Sequence, residues 1–446
     1  MNYSSNPILH LGRNNFGSGQ EFNVDLTTLE NMFFLLLGKS GAGKSHTIRK
    51  IMDQIFGYAS SPITETGKPT FHVLGYHPDF SYEDFASSGA TDNITSEDIN
   101  ILNFDYTEGN TATNILQPLK NSEALRFRTT EDFIGFCRIA HPGIGLHQQK
   151  YLRDILEHTY EHIARTEGRY PDLADLYDEV LLIKKSLSTG LNSSVIRNMK
   201  KLRREKNALD KILKSNNSTE DQKRKAQTEA EANEFALIDE VTALIKTDSA
   251  WVKNEYYADF DLKTLQTLDP LISELIRPQF FTRKSGQHAN ARPMPGAINF
   301  YDIHMLEERH MDLMTHVLLS RIYHGCVIKT KKEHMNPSVA HTYIVGDELR
   351  YLASASDKKT SPANLIFGGG RKFGIGMIVG GQGADQLSED MARAFSLKII
   401  LAQNEAAYKD THKYFRIKEA MVTQIVAKQS AIIKHGAVTE LVNLFR

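Results

Sequence analysis

The chain has 446 residues, 41% hydrophobic and 24% charged, which is the balance of a soluble globular protein. Its 53 Lys and Arg against 54 Asp and Glu leave a net charge of −1, so contact with nucleic acid would have to use local positive charge. The two distant cysteines, Cys137 and Cys326, exclude a disulfide framework or a Cys-rich zinc module, no apolar run is long enough to span a membrane, and residues 1–20 lack the apolar region of a secretory signal, which together predict a cytoplasmic protein.

Phe33-Phe34-Leu35-Leu36-Leu37 has the pattern of a buried strand. A Gly-rich turn follows, then a helix expected from about Lys44 to Phe56. Further strands are expected at 71–76 and 99–104. Apolar strands separated by helices predict an α/β fold with a mostly parallel sheet covered on both faces. Residues 121–290 read as mostly helical, with Pro171 suited to a first helical turn. Within them, 197–214 carries a net charge of +6 and 219–240 a net charge of −4, separated by Ser215-Asn216-Asn217-Ser218. That pattern suggests a helical hairpin with attracting arms. Residues 280–296 read as a loop. Alternation then returns, with strands at 297–301, 342–346, 376–380 and 397–401 and a helix at 305–324. The expected domains are 1–120, 121–290 and 291–446, the first and last forming one core.

Gly38-Lys39-Ser40-Gly41-Ala42-Gly43-Lys44-Ser45 matches the P-loop pattern G-x-x-x-x-G-K-S/T in full, between a strand and a helix. Its glycines let successive N–H groups point into one concavity, and the helix presents its positive end there. Gly38, Ser40, Gly41, Ala42, Gly43, Lys44, Ser45 and His46 are the expected nucleotide contacts. Lys44 would reach the β- and γ-phosphates of ATP, and Ser45 would offer a hydroxyl to Mg2+. Asp347 and Glu348 follow an apolar strand, as the metal-side acids of such a site would. Asp347 would hold Mg2+ through water, and Glu348 would act as general base on the attacking water. The same pair would also suit a helix N-terminus. Gln382, at the end of a later strand, would sense the γ-phosphate or position water. Arg371, before that strand, would serve a neighbouring subunit's nucleotide as an arginine finger, or else be a solvated loop residue.

Together these residues resemble the HerA/FtsK superfamily of ring-forming P-loop ATPases. Gly75-Tyr76-His77-Pro78-Asp79-Phe80 is similar to the family's D-P-x-G-x-F/Y segment, and Asn114-Ile115-Leu116 to its N-P-L segment. Residues 298–303, with the helix after them, look like the unit preceding the acidic strand. Residues 370–382 look like the family's G-R-K…G…A-T-Q stretch. The likeness covers residues 8–120 and 297–446. There are three departures: Tyr76 stands where Asp is usual, Gly380-Gly381 replaces a small residue plus Thr, and Gly346 interrupts the apolar run before Asp347. Neither the N-terminal β-barrel of HerA proper nor the membrane anchor of conjugative coupling proteins is expected. The cytosolic conjugative secretion ATPases share the long helical insertion.

The resemblance implies a RecA-like core with a large all-α insertion, assembled as a homo-oligomeric ring, usually a hexamer, around DNA. It also leaves open an ATPase energising a type IV secretion-like machine, or a regulatory ATPase partnered with a nuclease in a defence or plasmid system. Candidate pore segments are 282–286 and 329–332, each equally readable as a solvated loop. The run 197–214 reads as a solvated helix face or a DNA contact. His158 and His162 share a helix face at i, i+4 spacing without an evident third metal ligand, and Trp251 reads as core.

Overall fold

The computed structural model describes residues 7–14, 19–58, 67–80, 92–104, 111–188, 209, 213, 219–245, 260–277, 281, 292–333, 339–354 and 361–444. The chain divides into two compact units: residues 1–113, 119–121 and 283–446, and residues 114–118 and 122–282.

The first unit is built on an 11-stranded sheet. Its strands are β1 (Ile8–Asn14), β2 (Glu21–Asp25), β3 (Phe33–Leu37), β4 (Thr70–Gly75), β5 (Ile99–Asn103), β6 (Ile298–Asp302), β7 (Thr342–Gly346), β8 (Ile375–Gly381), β9 (Leu397–Ile400), β10 (Ser430–His435) and β11 (Val438–Leu444). They lie in the order β2-β1-β11-β10-β9-β3-β8-β7-β4-β6-β5. From β9 to β5 every pairing is parallel. The four strands beyond β9 are antiparallel. The sheet is therefore mostly parallel, as expected, but its antiparallel end is not legible as such in the sequence. β1, β2 and β11 are half-exposed, with burial patterns such as eBeBi in β2, so they lack the continuous apolar signature of a doubly covered strand.

All five residues of β3 are buried, because both faces of the sheet are covered. On one face lies α1 (Lys44–Gly57), whose Ile48, Ile51, Met52 and Ile55 form a buried stripe at helical spacing. On the other, Phe33 meets Phe367 edge to face at 5.9 Å. Where β4 and β7 run side by side, Phe71 stacks on Tyr343 at 5.0 Å. The helix expected at 305–324 occurs as Glu308–Glu333, starting and ending later. Lys329–Lys332 therefore lie in its last turns, not in a pore loop.

The second unit is helical, with helices Glu123–Ala140, Leu146–Glu167, Leu173–Ser188, Glu220–Ile245 and Leu262–Ile276. Leu152, Ile155, Leu156 and Leu173, Leu176, Val180 and Ile183 belong to its core, as do Leu265, Leu268 and Ile272. Asn114 Nδ2 donates to the Pro171 carbonyl at 2.9 Å, so the segment similar to N-P-L is tied into this helical unit. His158 Nδ1 lies 3.2 Å from Glu179 of the next helix, and among the described residues no group of three metal-ligating side chains occurs. The acidic arm at 219–240 is helical, whereas 282–286, Trp251 and nearly all of the basic run fall outside the described residues.

His72, buried in β4, hydrogen-bonds the Tyr301 hydroxyl at 3.0 Å, and burial pushes its pKa down to about 4. Between pH 6.5 and 4 the unfolded chain takes up a proton here that the folded chain refuses, so this group removes stability as pH falls. His341 behaves alike, and Asp347 has the opposite sign, so the group is isolated by a difference. Wild type minus His72→Gln in urea midpoint should diverge below pH 6.5, towards a limit on the order of 3 kcal/mol. Parallel pH curves for the two proteins would show that His72 does not titrate on unfolding.

Candidate functional site

The site lies along one edge of the parallel sheet, where β9, β3, β8, β7 and β4 end in succession. The P-loop leaves β3 and is suspended between its neighbours. Gly38 N–H donates to the Gly381 carbonyl at 3.0 Å, and Lys39 N–H to the Ala402 carbonyl at 2.8 Å. A Cβ on Gly38 would sit 2.8 Å from Leu401 Cβ, so only glycine fits there. Gly41 (φ 73°) and Gly43 (φ 102°) adopt left-handed backbone, which turns the loop into α1 without a side-chain cap. A Cβ on Gly41 would meet nothing within 4 Å, so the cradle is open on that side. Ser40 and His46 are exposed at its rim, Ser45 is half-buried, and Ala42 is buried beneath it.

Lys44 Nζ donates to the carbonyls of Gly38 at 2.7 Å and Lys39 at 3.2 Å. Burial lowers its pKa, while Glu348 and Asp347 oppose that shift, so the ammonium lies in the field of both acids. Those acids follow β7 and are 7% and 4% exposed. Asp347 Oδ1 accepts from Tyr76 N–H at 3.4 Å, and Glu348 Oε2 from His77 Nε2 at 3.2 Å. Glu348 Oε1 is buried without a hydrogen-bond partner among the described residues. Burial pushes the Asp347 carboxyl up to about 7, against the influence of His77 and backbone N–H groups. A buried acid pair with unsatisfied oxygen, facing an ammonium and an open glycine cradle, fits Mg2+ and a nucleotide triphosphate.

Gln382 is exposed directly after β8, between the P-loop strand and the acid-bearing strand. The structure thus brings Lys44, Ser45, Asp347, Glu348 and Gln382 to one edge. Arg371 is elsewhere: it lies on the turn Gly370–Phe373 that precedes β8, at the opposite edge. The length of β8 alone separates it from its own P-loop by about 20 Å. Thr330 Oγ1 donates to the Phe373 carbonyl at 3.4 Å, so the last turns of the helix Glu308–Glu333, with exposed Lys331 and Lys332, end at the same edge as the turn that carries exposed Arg371 and Lys372.

The departures from the family pattern have packing causes. Tyr76 stacks on Tyr351 at 4.5 Å, and its hydroxyl is 3.0 Å from Thr315 Oγ1. A Cβ on Gly346 would lie 3.4 Å from the Tyr76 ring and 3.3 Å from Leu352, so Tyr76 and Gly346 are one packing solution. A Cβ on Gly381 would lie 2.9 Å from Leu349 Cβ, and one on Gly380 3.0 Å from the Asp347 carbonyl.

Two site residues escape motif reading. One is His77. The other is Lys428, which has left-handed backbone (φ 63°), donates its N–H to the Ala42 carbonyl at 3.3 Å, and lies over Gly43. His77 lies in the segment similar to D-P-x-G-x-F/Y, at a position to which that pattern gives no role, and Lys428 lies in no motif. Only the sheet order brings the β4 end and the loop before β10 to this edge.

No protein-family model matches the chain, and no curated protein matches it in sequence. Among solved structures it is similar to VirB4 of Thermoanaerobacter pseudethanolicus, at 12% identity and TM-score 0.60, over 98% of this chain and 96% of that one. It is also matched to the genome packaging NTPase B204 of Sulfolobus turreted icosahedral virus 2 (16% identity, TM-score 0.27, 34% of this chain and 68% of that one). A third match is the cytoplasmic domain of the Thermomonospora curvata type VII secretion ATPase EccC (10% identity, TM-score 0.31, 98% and 28%). The likeness to VirB4 shows the fold alone, an α/β P-loop fold over 98% of the chain.

Replacing Gly381 by the Thr usual at this position should overpack against Leu349 and cost about 1–3 kcal/mol in a urea titration. Adding Leu349→Ala should return part of that loss; a fully stable Gly381→Thr would contradict the packing account.

Proposed function

We propose that the protein is an ATP-hydrolysing motor of the HerA/FtsK type that works as a head-to-tail ring and moves DNA. The supporting observation is the division of the site residues between two sheet edges. P-loop, acid pair and Gln382 share one edge, while Arg371 stands with Lys331, Lys332 and Lys372 on the other. A heterologous ring sets one subunit's far edge against the next subunit's site. Arg371 would then act on the neighbour's nucleotide, since its own lies too far away.

In this reading the amides of Ser40 to His46 and the Lys44 ammonium hold the triphosphate. Ser45 and Asp347 would hold Mg2+, which when bound neutralises phosphate charge and orients the leaving group. Glu348 takes a proton from water as the water oxygen attacks the γ-phosphorus. The bond to the bridging oxygen breaks, and ADP and phosphate leave. Gln382 contacts the γ-phosphate or the water, and Arg371 of the neighbour stabilises the charge of the transition state.

A second reading has the same chemistry energising transfer at a secretion-type machine. The observation in its favour is the extent of the likeness to VirB4, which spans the helical unit as well as the core.

Phosphate-release assays test the site. Lys44→Ala should lose turnover, and Glu348→Gln should bind ATP but hydrolyse it about 100-fold or more slowly. Near-normal turnover in Glu348→Gln would remove it as the base. Addition of single- or double-stranded DNA tests the motor's track: stimulation of wild-type turnover supports the DNA reading, and absence of binding and stimulation with either form favours the second.

A further inference from the structure

Adjacent residues at the end of β4 grip the two adjacent carboxylates at the end of β7. The backbone N–H of Tyr76 reaches Asp347 Oδ1, and the imidazole of His77 reaches Glu348 Oε2. The grip rests on a rigid base. β4 and β7 pair along their length, with Leu74 opposite Gly346. Tyr76 is held by its stack on Tyr351, by Thr315 at its hydroxyl, and by the space left at Gly346. His77 itself is 44% exposed, so its ring is not a core filler. Its Nε2 lies 3.2 Å from the Glu348 carboxylate, whose side chain is 5% exposed.

The hydrogen bond divides the work of the two Glu348 oxygens. Oε2 is occupied by His77. Oε1 is buried and has no partner among the described residues. A buried acceptor without a donor is costly, and it is the atom with lone pairs available for a proton from water. Because Oε2 is anchored, the carboxylate is restrained about its side-chain torsions, and the direction of Oε1 is set. Small errors in the placement of a general base lose much of its effect.

We propose that His77 is a positioning residue for ATP hydrolysis: its Nε2–H holds Glu348 Oε2 so that Oε1 receives the proton of the attacking water. This rests on the ATPase reading above and gives a role to a residue for which the motif pattern supplies none. His77 touches neither phosphate nor water in this role and acts through Glu348.

The test compares His77→Phe and His77→Gln. Phe keeps a ring of similar size but has no donor. Gln carries an amide Nε2–H at a similar reach and does not titrate near neutrality. Steady-state ATP turnover, binding of a fluorescent ATP analogue and the thermal midpoint are measured for wild type and both variants. In His77→Phe, kcat should fall about tenfold or more while KM and analogue affinity stay within about twofold. In His77→Gln, most of the lost kcat should return. Equal kcat in the two variants overturns the proposal, because the donor then does not matter. A faster His77→Phe overturns it too, because His77 would then restrain the base. Wild-type protein that neither binds nor hydrolyses ATP removes the ATPase reading and this proposal together. Normal wild-type turnover with an undiminished His77→Phe removes the proposal alone.

Discussion

Two adjacent carboxylates buried within the field of one partly desolvated ammonium set the terms for the rest of this structure. Asp347 and Glu348 lie under 10% exposed, and Lys44 is close enough to feel both. Burying like charges side by side is unfavourable unless donors and cations surround them. The surroundings supply Lys44, the Tyr76 N–H and the His77 imidazole, yet Glu348 Oε1 has no hydrogen-bond partner among the described residues. The response at Asp347 is a carboxyl raised to about 7.

The sheet makes this arrangement possible at low cost. Parallel strands end on one edge together, and β8 alone separates the P-loop strand from the acid-bearing strand. The loop itself is fastened to β8 and β9 by the two backbone hydrogen bonds from Gly38 and Lys39. Any shift of β8 would move the P-loop, Gln382 and the acids relative to one another. The glycines at 380 and 381 permit close approach there: each lacks the Cβ that would meet the Asp347 carbonyl or Leu349. The departures from the family pattern are in this sense local repacking around an unchanged acid pair. Tyr76 takes the volume that a side chain at 346 would need, and gains Tyr351 and Thr315 as partners.

Much of the core was legible because its signals are local. A fully apolar strand such as Phe33–Leu37, a complete P-loop and an acidic pair after Thr342–Gly346 each announce themselves within ten residues. The antiparallel end of the sheet was not legible. β1 pairs with nearby β2 and β10 with nearby β11, but the pairing that joins the two hairpins spans hundreds of residues, as Gly12 pairs with Leu444. The segment 329–332 reads as a loop because charge obscures helical periodicity, yet it continues a helix from Glu308, and its Thr330 meets the Arg371 turn.

By itself the sequence determined which chemical groups exist and which of them stand next to one another in the chain: the glycines and Lys44 of the P-loop, and Asp347 beside Glu348. Those are properties of a few consecutive residues, and backbone sterics and helix polarity give them meaning before any long-range contact forms. Tertiary structure alone decided which separate segments meet. Strand order brings His77 to Glu348 across 271 residues, sets Lys428 over Gly43, and sends Arg371 to the far edge. The physical reason is that strand pairing joins segments of unrelated sequence distance, and no local pattern encodes its order.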